Sequence, residues 1–292
     1  MTQPSTVAAP RIVVVIPVHN RPDLVQRAIA SVVEQTPRPA QVIIVDDGSE
    51  PPLELAPMAE GTHVEIQLVR VPQGGVSSAR NAGVEAAVDA DWVTFLDSDD
   101  EAMPGWLAAI GAAAAAGASL FSCAAEYRWD DGTRDVPTPV PMWEGSHERA
   151  LFLAGTFALP CALFLQVGGY RAGLRHGENT HLGWRVAEVI RNTAARTTAT
   201  DTPLAIVHAR RRNVDPAVLL ESARMTLIDP PALLAEDRRS LATHCAIAGT
   251  AASRLGRRRE AVRWMAKAVR TDPRNLRHTA RLVRAAIGRG AR

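Results

Sequence analysis

The chain has 292 residues, of which 47% are hydrophobic and 22% charged, a composition typical of a globular protein with one large domain and an appendage. Its three cysteines are too few and too widely spaced for a disulfide framework or a zinc site, which indicates a reducing compartment. No signal-peptide or membrane-spanning pattern is evident. We therefore expect a cytoplasmic protein, with contact at a membrane surface left open.

The charge is unevenly distributed along the chain. The segment from Arg254 to Arg292 contains thirteen Arg or Lys residues and two acids, which gives it a net charge of +11. Because the whole chain has a net charge of +2, the remaining residues carry −9. A basic region on an acidic body suggests an anionic partner, although a solvated helical surface explains it equally well. A basic helix without base-reading motifs does not predict nucleic-acid binding.

In chain order, short β-branched runs alternate with amphipathic stretches. Continuous apolar runs predict buried strands at residues 12–16 and 42–45, and two further strands are predicted at 64–70 and 91–96. One helix is predicted from about Asp23. A second helix is predicted to follow the turn at Gly74 and Gly75, with Ser77 or Ser78 as its N-cap. A last strand is predicted around 204–207. Alternating strands and helices predict parallel pairing and an α/β fold.

Polar residues follow three of these strands. They are Pro17–Asn20, with Pro17 ending its strand, then Asp46–Asp47 and Asp97–Asp100. The carboxyl ends of parallel strands share one edge of a sheet, where ligands bind, so we expect the three segments to meet in one cleft.

The aspartates Asp97, Asp99 and Asp100 lie on one short turn. Carboxylates this close repel one another, and a divalent cation relieves the repulsion. Oxygen ligands favour Mg²⁺ or Mn²⁺. A solvated acidic turn that caps the helix predicted from about Pro104 is the alternative.

Two further segments carry candidate ligand-binding groups. Asp46 and Asp47 could accept hydrogen bonds from a base N–H or a ribose hydroxyl, or build a turn with Gly48 and Ser49. Arg80 starts a helix beneath a glycine turn, where a guanidinium suits a diphosphate or pairs with a neighbouring acid.

Four segments, in this order and at this spacing, resemble glycosyltransferase family 2: "VVVIPVHNRPDLVQRAIASVVEQT", "QVIIVDDGSE", "GGVSSARNAGVEAA" and "WVTFLDSDDEAMPGWL". The resemblance covers residues 11–110 strongly and 150–190 more weakly. It implies a GT-A fold, which is Rossmann-like with a mainly parallel sheet flanked by helices. It also implies sugar transfer from a nucleotide diphosphate sugar, with inversion at the anomeric carbon and usually with Mn²⁺ or Mg²⁺. A UDP-sugar is the favoured donor.

The resemblance also implies roles for single residues. Pro17 and His19 line the nucleotide pocket, and Asp47 matches the aspartate that binds the base. Asp97 and Asp99 match the D-x-D pair, which faces the ribose and the metal-bound diphosphate.

The base position departs from the family pattern. The usual signature has Glu-Asp, with the Asp as base, whereas "GENTHLGWR" places Glu178 and Asn179 there. An amide cannot take a proton at neutral pH. Glu178 could be the base, helped by His176 or His181. Alternatively, the acceptor needs little help from a base, as a thiolate would, transfer activity has been lost, or the segment aligns with the family signature in another register.

These observations predict a tail at 1–10, a GT-A domain at 11–228 and a basic helical region at 229–292. The last resembles part of a tetratricopeptide repeat and could mediate homo-oligomer or peripheral membrane contact. The predicted function is metal-dependent, inverting sugar transfer to a polysaccharide, lipid, small molecule or peptide. A nucleotide-sugar-binding or scaffold protein is the main alternative, because of Asn179. A nucleotidyltransferase is disfavoured, because no basic Gly-rich triphosphate loop is evident near the N-terminus.

Overall fold

The computed structural model describes residues 9–56, 64–210 and 214–287. Nearly all of the predicted tail at 1–10 lies outside these ranges. The chain divides into two compact units, the first comprising Met1–Gly173 with Val189–Arg211 and the second Leu174–Glu188 with Arg212–Arg292. The predicted division of the chain after residue 228 stays a prediction.

The first unit is built on a large mixed sheet. Its strands are β1 (Ile12–Val18), β2 (Gln41–Asp47), β3 (Glu65–Val71), β4 (Trp92–Phe95), β5 (Glu101–Ala102), β6 (Leu120–Trp129), β7 (Arg134–Asp135), β10 (Phe157–Pro160) and β11 (Thr197–Ala209). They are ordered β3-β2-β1-β4-β10-β6-β11-β5, with β7 on β6. Two short strands, β8 (Val140–Pro141) and β9 (Arg149–Ala150), pair separately.

Strand directions follow the connections between the strands. The first four strands, β3-β2-β1-β4, are all parallel, as the alternation of strands and helices predicts. β10 then lies antiparallel between β4 and β6. The segment from β6 to β10 contains only short strands, and without a crossover helix the chain can return in the opposite direction. The predicted α/β fold is therefore confirmed, with an antiparallel strand that the sequence pattern did not indicate.

Pro17 does not end β1, contrary to the sequence prediction. The strand continues to Val18, and Pro17 pairs in register with Val45. The Val15 carbonyl accepts from Leu96 N, so Val15 and Pro17 both turn their backbone groups toward the β4 side. Because β4 ends at Phe95, the missing N–H of Pro17 breaks no ladder hydrogen bond there.

Helices cover the sheet and complete the first unit. They are α1 (Pro22–Val33), α2 (Val76–Ala86), α3 (Trp106–Ala115), α4 (Cys161–Gln166) and the end of α5 (Glu178–Thr193). α1 buries Val25, Ala28, Ile29 and Val32, much as its predicted apolar stripe requires.

Glycines, not the predicted polar side chains, occupy two helix N-caps. Gly75, with φ 85°, is the N-cap of α2, so the prediction of Ser77 or Ser78 is wrong. Gly105, with φ 87°, caps α3, so the Asp97–Asp100 turn does not cap that helix. Both backbone conformations lie in the left-handed region that favours glycine, which outweighs the usual serine preference.

The second unit is helical, as predicted for the C-terminal region. Beyond the start of α5 it contains α6 (Pro216–Ile228), α7 (Ala232–Glu236), α8 (Arg238–Arg254), α9 (Arg258–Thr271) and α10 (Leu276–Ile287). Small residues of α8 pack against Met265 and Ala268 of α9 and Leu220 of α6. None of the helices in the described part of the chain is long and apolar enough to cross a bilayer.

Candidate functional site

The first two strand-end segments meet at one edge of the sheet. Nδ1 of His19 lies 2.8 Å from the Asp47 carbonyl oxygen, and Asn20 N donates to Ser49 Oγ at 2.9 Å. Nε2 of His19 lies 3.1 Å from Gln73 Nε2, an amide donor. A tautomer with the proton on Nδ1 satisfies both ring nitrogens.

Asp46 stabilises the turn that follows β2. Its carboxylate accepts from Ser49 N at 2.9 Å and Leu53 N at 3.1 Å, and Arg70 lies 3.4 Å away. Burial raises the pKa of Asp46, but these hydrogen bonds and the Arg70 charge outweigh it and hold the pKa below its usual value. Asp46 thus builds the turn, and its nucleotide contact stays a prediction.

Asp47 connects β2 to the glycine turn before α2. Its two carboxylate oxygens accept from Gly74 N at 2.7 Å and Gly75 N at 2.9 Å. Gly48 fits tightly against the same turn, because a Cβ at this position would lie 2.8 Å from Gln73 N. A carboxylate offers about four lone-pair sites, so Asp47 keeps acceptor capacity for a ligand.

Arg80 is buried and contacts Asp97. Its Nη2 donates to Asp97 Oδ1 at 2.5 Å, and its guanidinium lies 5.0 Å from the centre of the Tyr170 ring. Asp97 itself is partly exposed. Arg80 therefore fixes one carboxylate of the D-x-D pair, while its predicted contact with a diphosphate stays a prediction.

Asp99 is held by Arg21, which precedes α1, and by Arg27 within α1. Arg21 Nη1 donates to Asp99 Oδ2 at 2.7 Å, and Arg27 Nη2 donates to the Asp99 carbonyl oxygen at 2.6 Å. The segment after β1 thus reaches the turn after β4 as well as the end of β2. The three segments thus lie at the same edge of the sheet, and their forming one ligand cleft stays a prediction.

Asp100 is buried behind the D-x-D pair. Its Oδ1 accepts from His208 N at 2.9 Å. Burial first, and then the charge of Asp97, raise the pKa of Asp100 to about 8. The next residue, Glu101, contacts Arg27 Nε at 3.3 Å and His208 Nε2 at 2.6 Å, so this network ties the turn to α1 and β11.

The donor set at the turn fits a cation that is shared with a ligand. Across the described ranges, no group of three or more His, Cys, Asp or Glu side chains is arranged to hold a metal ion by itself. Asp97 and Asp99 each use one carboxylate oxygen in an arginine pair, leaving the other for a cation. Two carboxylates completed by ligand phosphates suit Mg²⁺, whereas an all-protein cage does not form here.

Glu178 and Asn179 belong to the second unit, at the start of α5. Both are half-buried, and Asn179 Nδ2 donates to Glu178 Oε1 at 3.2 Å. His176 is exposed, whereas His181 is buried and its backbone N donates to the Gly177 carbonyl. Their catalytic roles stay predictions.

Comparison with known proteins identifies the family. The model of "Glycosyl transferase family 2" matches residues 13–178, which is more than half of the chain. The chain belongs to glycosyltransferase family 2. The match contains Pro17, His19, Asp46, Asp47, Arg80, Asp97, Asp99 and Glu178 and ends one residue before Asn179.

Curated relatives of this family 2 member match over about a third of its length. Succinoglycan biosynthesis protein ExoW of Rhizobium meliloti is 42% identical over 94 residues, 31% of this chain and 30% of the relative. Pre-mycofactocin glycosyltransferase of Mycobacterium tuberculosis is 39% identical over 113 residues, 35% of this chain and 23% of the relative. The matches thus span less than a third of either relative's length.

Solved structures confirm the GT-A fold. S. aureus TarS 1-349 superposes with a TM-score of 0.64 over 95% of this chain and 87% of that structure, at 16% identity. The same protein in complex with UDP-GlcNAc also has a TM-score of 0.64, at 17% identity, over 95% of this chain and 88% of that structure.

Sequence reasoning missed the residues that hold the aspartates in place. Arg21, Arg27 and Glu101 lie inside the quoted family segments but were given no role there, and His208 lies more than a hundred residues from Asp100 along the chain. The one available signal was the position of Arg21, which directly follows the "IPVHN" segment.

Proposed function

We propose that this chain moves a sugar from a nucleotide diphosphate sugar to an acceptor. One observation carries the proposal. At one edge of the sheet of a family 2 chain, two aspartates of a D-x-D turn are each paired with an arginine, beside the His19–Asp47 contact. Open α/β sheets bind their ligands at this edge.

The donor is proposed to be a UDP-sugar. The complex of S. aureus TarS with UDP-GlcNAc supports a uridine donor through the shared fold. Pro17 and His19 would line the nucleotide pocket, and Asp47 would bind the base. Because Asp47 already holds the Gly74–Gly75 turn, it would orient the base from a fixed position.

Asp97 and Asp99 would hold Mn²⁺ or Mg²⁺ together with the donor diphosphate. When bound, the cation acts as a Lewis acid that stabilises charge on the leaving diphosphate, an effect of several kcal/mol. Arg80 holds Asp97 from a buried position, and Arg21 holds Asp99 from a more exposed one. Both arginines would add positive charge near the leaving diphosphate.

The reaction is proposed to invert the anomeric carbon, with Glu178 removing the acceptor proton. Inversion requires a base on the face of the sugar opposite the leaving group. Asn179 stands where the family has its aspartate, and its Nδ2 donates to Glu178 Oε1. An acceptor with a low pKa, such as a thiol, would need less help from a base.

Donor turnover tests this function. We expect UDP-sugar hydrolysis or transfer to require Mn²⁺ or Mg²⁺ and to fall by about two to three orders of magnitude in Asp99→Asn. Glu178→Gln should lose transfer yet keep donor affinity. Glu85→Gln, an exposed carboxylate on α2, serves as the matched control. Metal-independent turnover that survives Asp99→Asn would sink the proposed role of this turn.

A nucleotide-sugar-binding or scaffold protein is the second candidate, and Asn179 is the observation that favours it. This function predicts tight, metal-dependent donor binding without turnover on polysaccharide, lipid, small-molecule or peptide acceptors. If the wild-type chain transfers sugar and Glu178→Gln abolishes the transfer, the binding or scaffold function is excluded.

We propose a reducing, cytoplasmic location, which the free cysteines Cys123, Cys161 and Cys245 support.

A further inference from the structure

Helix α10 is fixed to the second unit through one face only. Ala285 is buried in the core of the second unit, Leu282 packs against it, and His278 is buried as well. On α9, the Arg258 side chain donates to the Ala286 carbonyl near the end of α10. The helix thus lies against α9 as a defined surface element.

The outer face of α10 is apolar and exposed. Leu276, Ala280, Val283 and Ile287 follow one another at steps of four, three and four residues, which places them in one stripe. Leu276 is 78% exposed, Val283 50% and Ile287 62%. Single exposed apolar residues are ordinary, but an aligned row of them marks an interaction surface.

Arginines border this stripe. Arg277, Arg281 and Arg284 are exposed and lie along one flank of it, and the α10 sequence "LRHTARLVRAAI" contains no acid. At the turn that leads into α10, a cavity of about 660 Å³ is lined by Arg238, Arg239 and Arg274, with Asp272. The surface around α10 therefore combines apolar side chains with concentrated positive charge.

We propose that α10 docks on the surface of an anionic lipid bilayer. The apolar stripe would enter the boundary between headgroups and acyl chains, while the flanking arginines contact lipid phosphates. At 12 residues the helix is about 18 Å long, which is enough to lie in the interface between headgroups and acyl chains but too short to span the bilayer.

Charge decides against a second copy of the chain as the occupant. An antiparallel two-fold pairing of α10 with itself would bring Arg277, Arg281 and Arg284 of one copy near those of the other, which is repulsive. A parallel pairing would leave these arginines without acidic partners, because α10 contains no acid. An anionic bilayer satisfies the stripe and the arginines together. It also gives the basic region, net +11, a partner of opposite sign.

Vesicle co-sedimentation of the full chain tests this proposal. Binding to vesicles of phosphatidylcholine with about 30 mol% phosphatidylglycerol should exceed binding to pure phosphatidylcholine about tenfold, and it should fall at about 0.5 M salt. Combining Leu276→Ser, Val283→Ser and Ile287→Ser should lower binding about tenfold or more. Combining Arg277→Gln, Arg281→Gln and Arg284→Gln should weaken binding and flatten its salt dependence.

Leu165→Ser with Ile228→Ser is the matched control, because these side chains are 63% and 79% exposed and lie outside α10. The control should bind vesicles like the wild type, and circular dichroism and UDP affinity should be unchanged in every variant. Three results would overturn the proposal. These are absence of binding to the anionic vesicles, binding that ignores the α10 changes, and a stripe variant that only converts an oligomer into a monomer.

Discussion

Two arginines hold the D-x-D carboxylates in very different surroundings. The Arg80 side chain, paired with Asp97, is 1% exposed, whereas the Arg21 side chain, paired with Asp99, is 45% exposed. An exposed ion pair contributes little free energy, so Arg21 can leave Asp99 at small cost when a ligand arrives. Asp97 is thus the fixed carboxylate of the pair, and Asp99 is the adaptable one.

Matched substitutions of the two arginines test this difference. Arg80→Gln should lower the free energy of unfolding by about 2–3 kcal/mol, because it leaves Asp97 without its charged partner and removes the cation–π contact with Tyr170. Arg21→Gln should change it by less than about 1 kcal/mol. Urea denaturation measures both changes in the free energy of unfolding. Equal losses in the two variants would contradict the assignment of Arg80 as buried and Arg21 as exposed.

Asp100 makes a pH-dependent contribution to stability. Its folded pKa of about 8 lies above the usual 3.8, so the folded state holds a proton that the unfolded state releases. This contribution is complete below about pH 4 and is lost as pH rises through about 8.

In EDTA, Asp100→Asn should therefore gain stability relative to the wild type as pH rises from about 5 to 9. At the upper end its Tm should exceed the wild-type value by at least about 2 °C. The exposed Asp23→Asn variant is the control. A Tm difference that stays constant across this pH range would contradict the buried, protonated carboxyl.

At the scale of elements, close packing of α2 on the sheet positions Arg80. Gly83 faces β1 and β2, and a Cβ there would lie 2.4 Å from Val15 Cγ1 and 3.1 Å from Val45 Cγ2. The sequence predicted both strands and the helix, because buried parallel strands and apolar stripes are local patterns. It did not predict this contact, which depends on the distance between the helix and the sheet.

Gly83→Ala should therefore destabilise the chain by about 1–3 kcal/mol through overpacking. Gly111→Ala on α3 is the matched control, because its nearest neighbour would be Ile12 Cδ1 at 3.9 Å. The control should be neutral or stabilising by up to about 1 kcal/mol, as alanine favours a helix. Thermal and urea unfolding of the two variants measure the contrast, and equal effects would refute the close packing.

The limits of sequence reasoning at this scale have physical causes. Local patterns do not encode the return of β10 between β4 and β6, because only tertiary pairing selects it. The N-caps of α2 and α3 were assigned to polar side chains, whereas backbone conformation selected Gly75 and Gly105. Both errors concern non-local geometry or backbone angles and do not concern hydrophobic pattern.

At the scale of the whole molecule, the sequence predicted that the segments after three parallel strands lie at one edge of the sheet. Strand alternation implied that edge, and the His19–Asp47 and Arg21–Asp99 contacts are found there. The supporting Arg27–Glu101–His208 network could not be predicted from the sequence, because it joins α1, β5 and β11, which are far apart along the chain. The sequence composition revealed the basic C-terminal region. The exposed apolar stripe on α10 could be recognised only from the structure, because it depends on which side chains are exposed.

Nucleotide-dependent thermal stabilisation tests the central claim most directly. In the presence of Mn²⁺, UDP at about a hundred times its Kd should raise the free energy of unfolding of the wild-type chain by about 2.7 kcal/mol. The effect should be much smaller when UDP or Mn²⁺ is omitted. Asp99→Asn should lose the metal-dependent part, and Glu85→Gln should keep it. A chain that no nucleoside diphosphate stabilises, or one that UDP stabilises equally without Mn²⁺ and in Asp99→Asn, would contradict a metal-assisted nucleotide-sugar site at this edge.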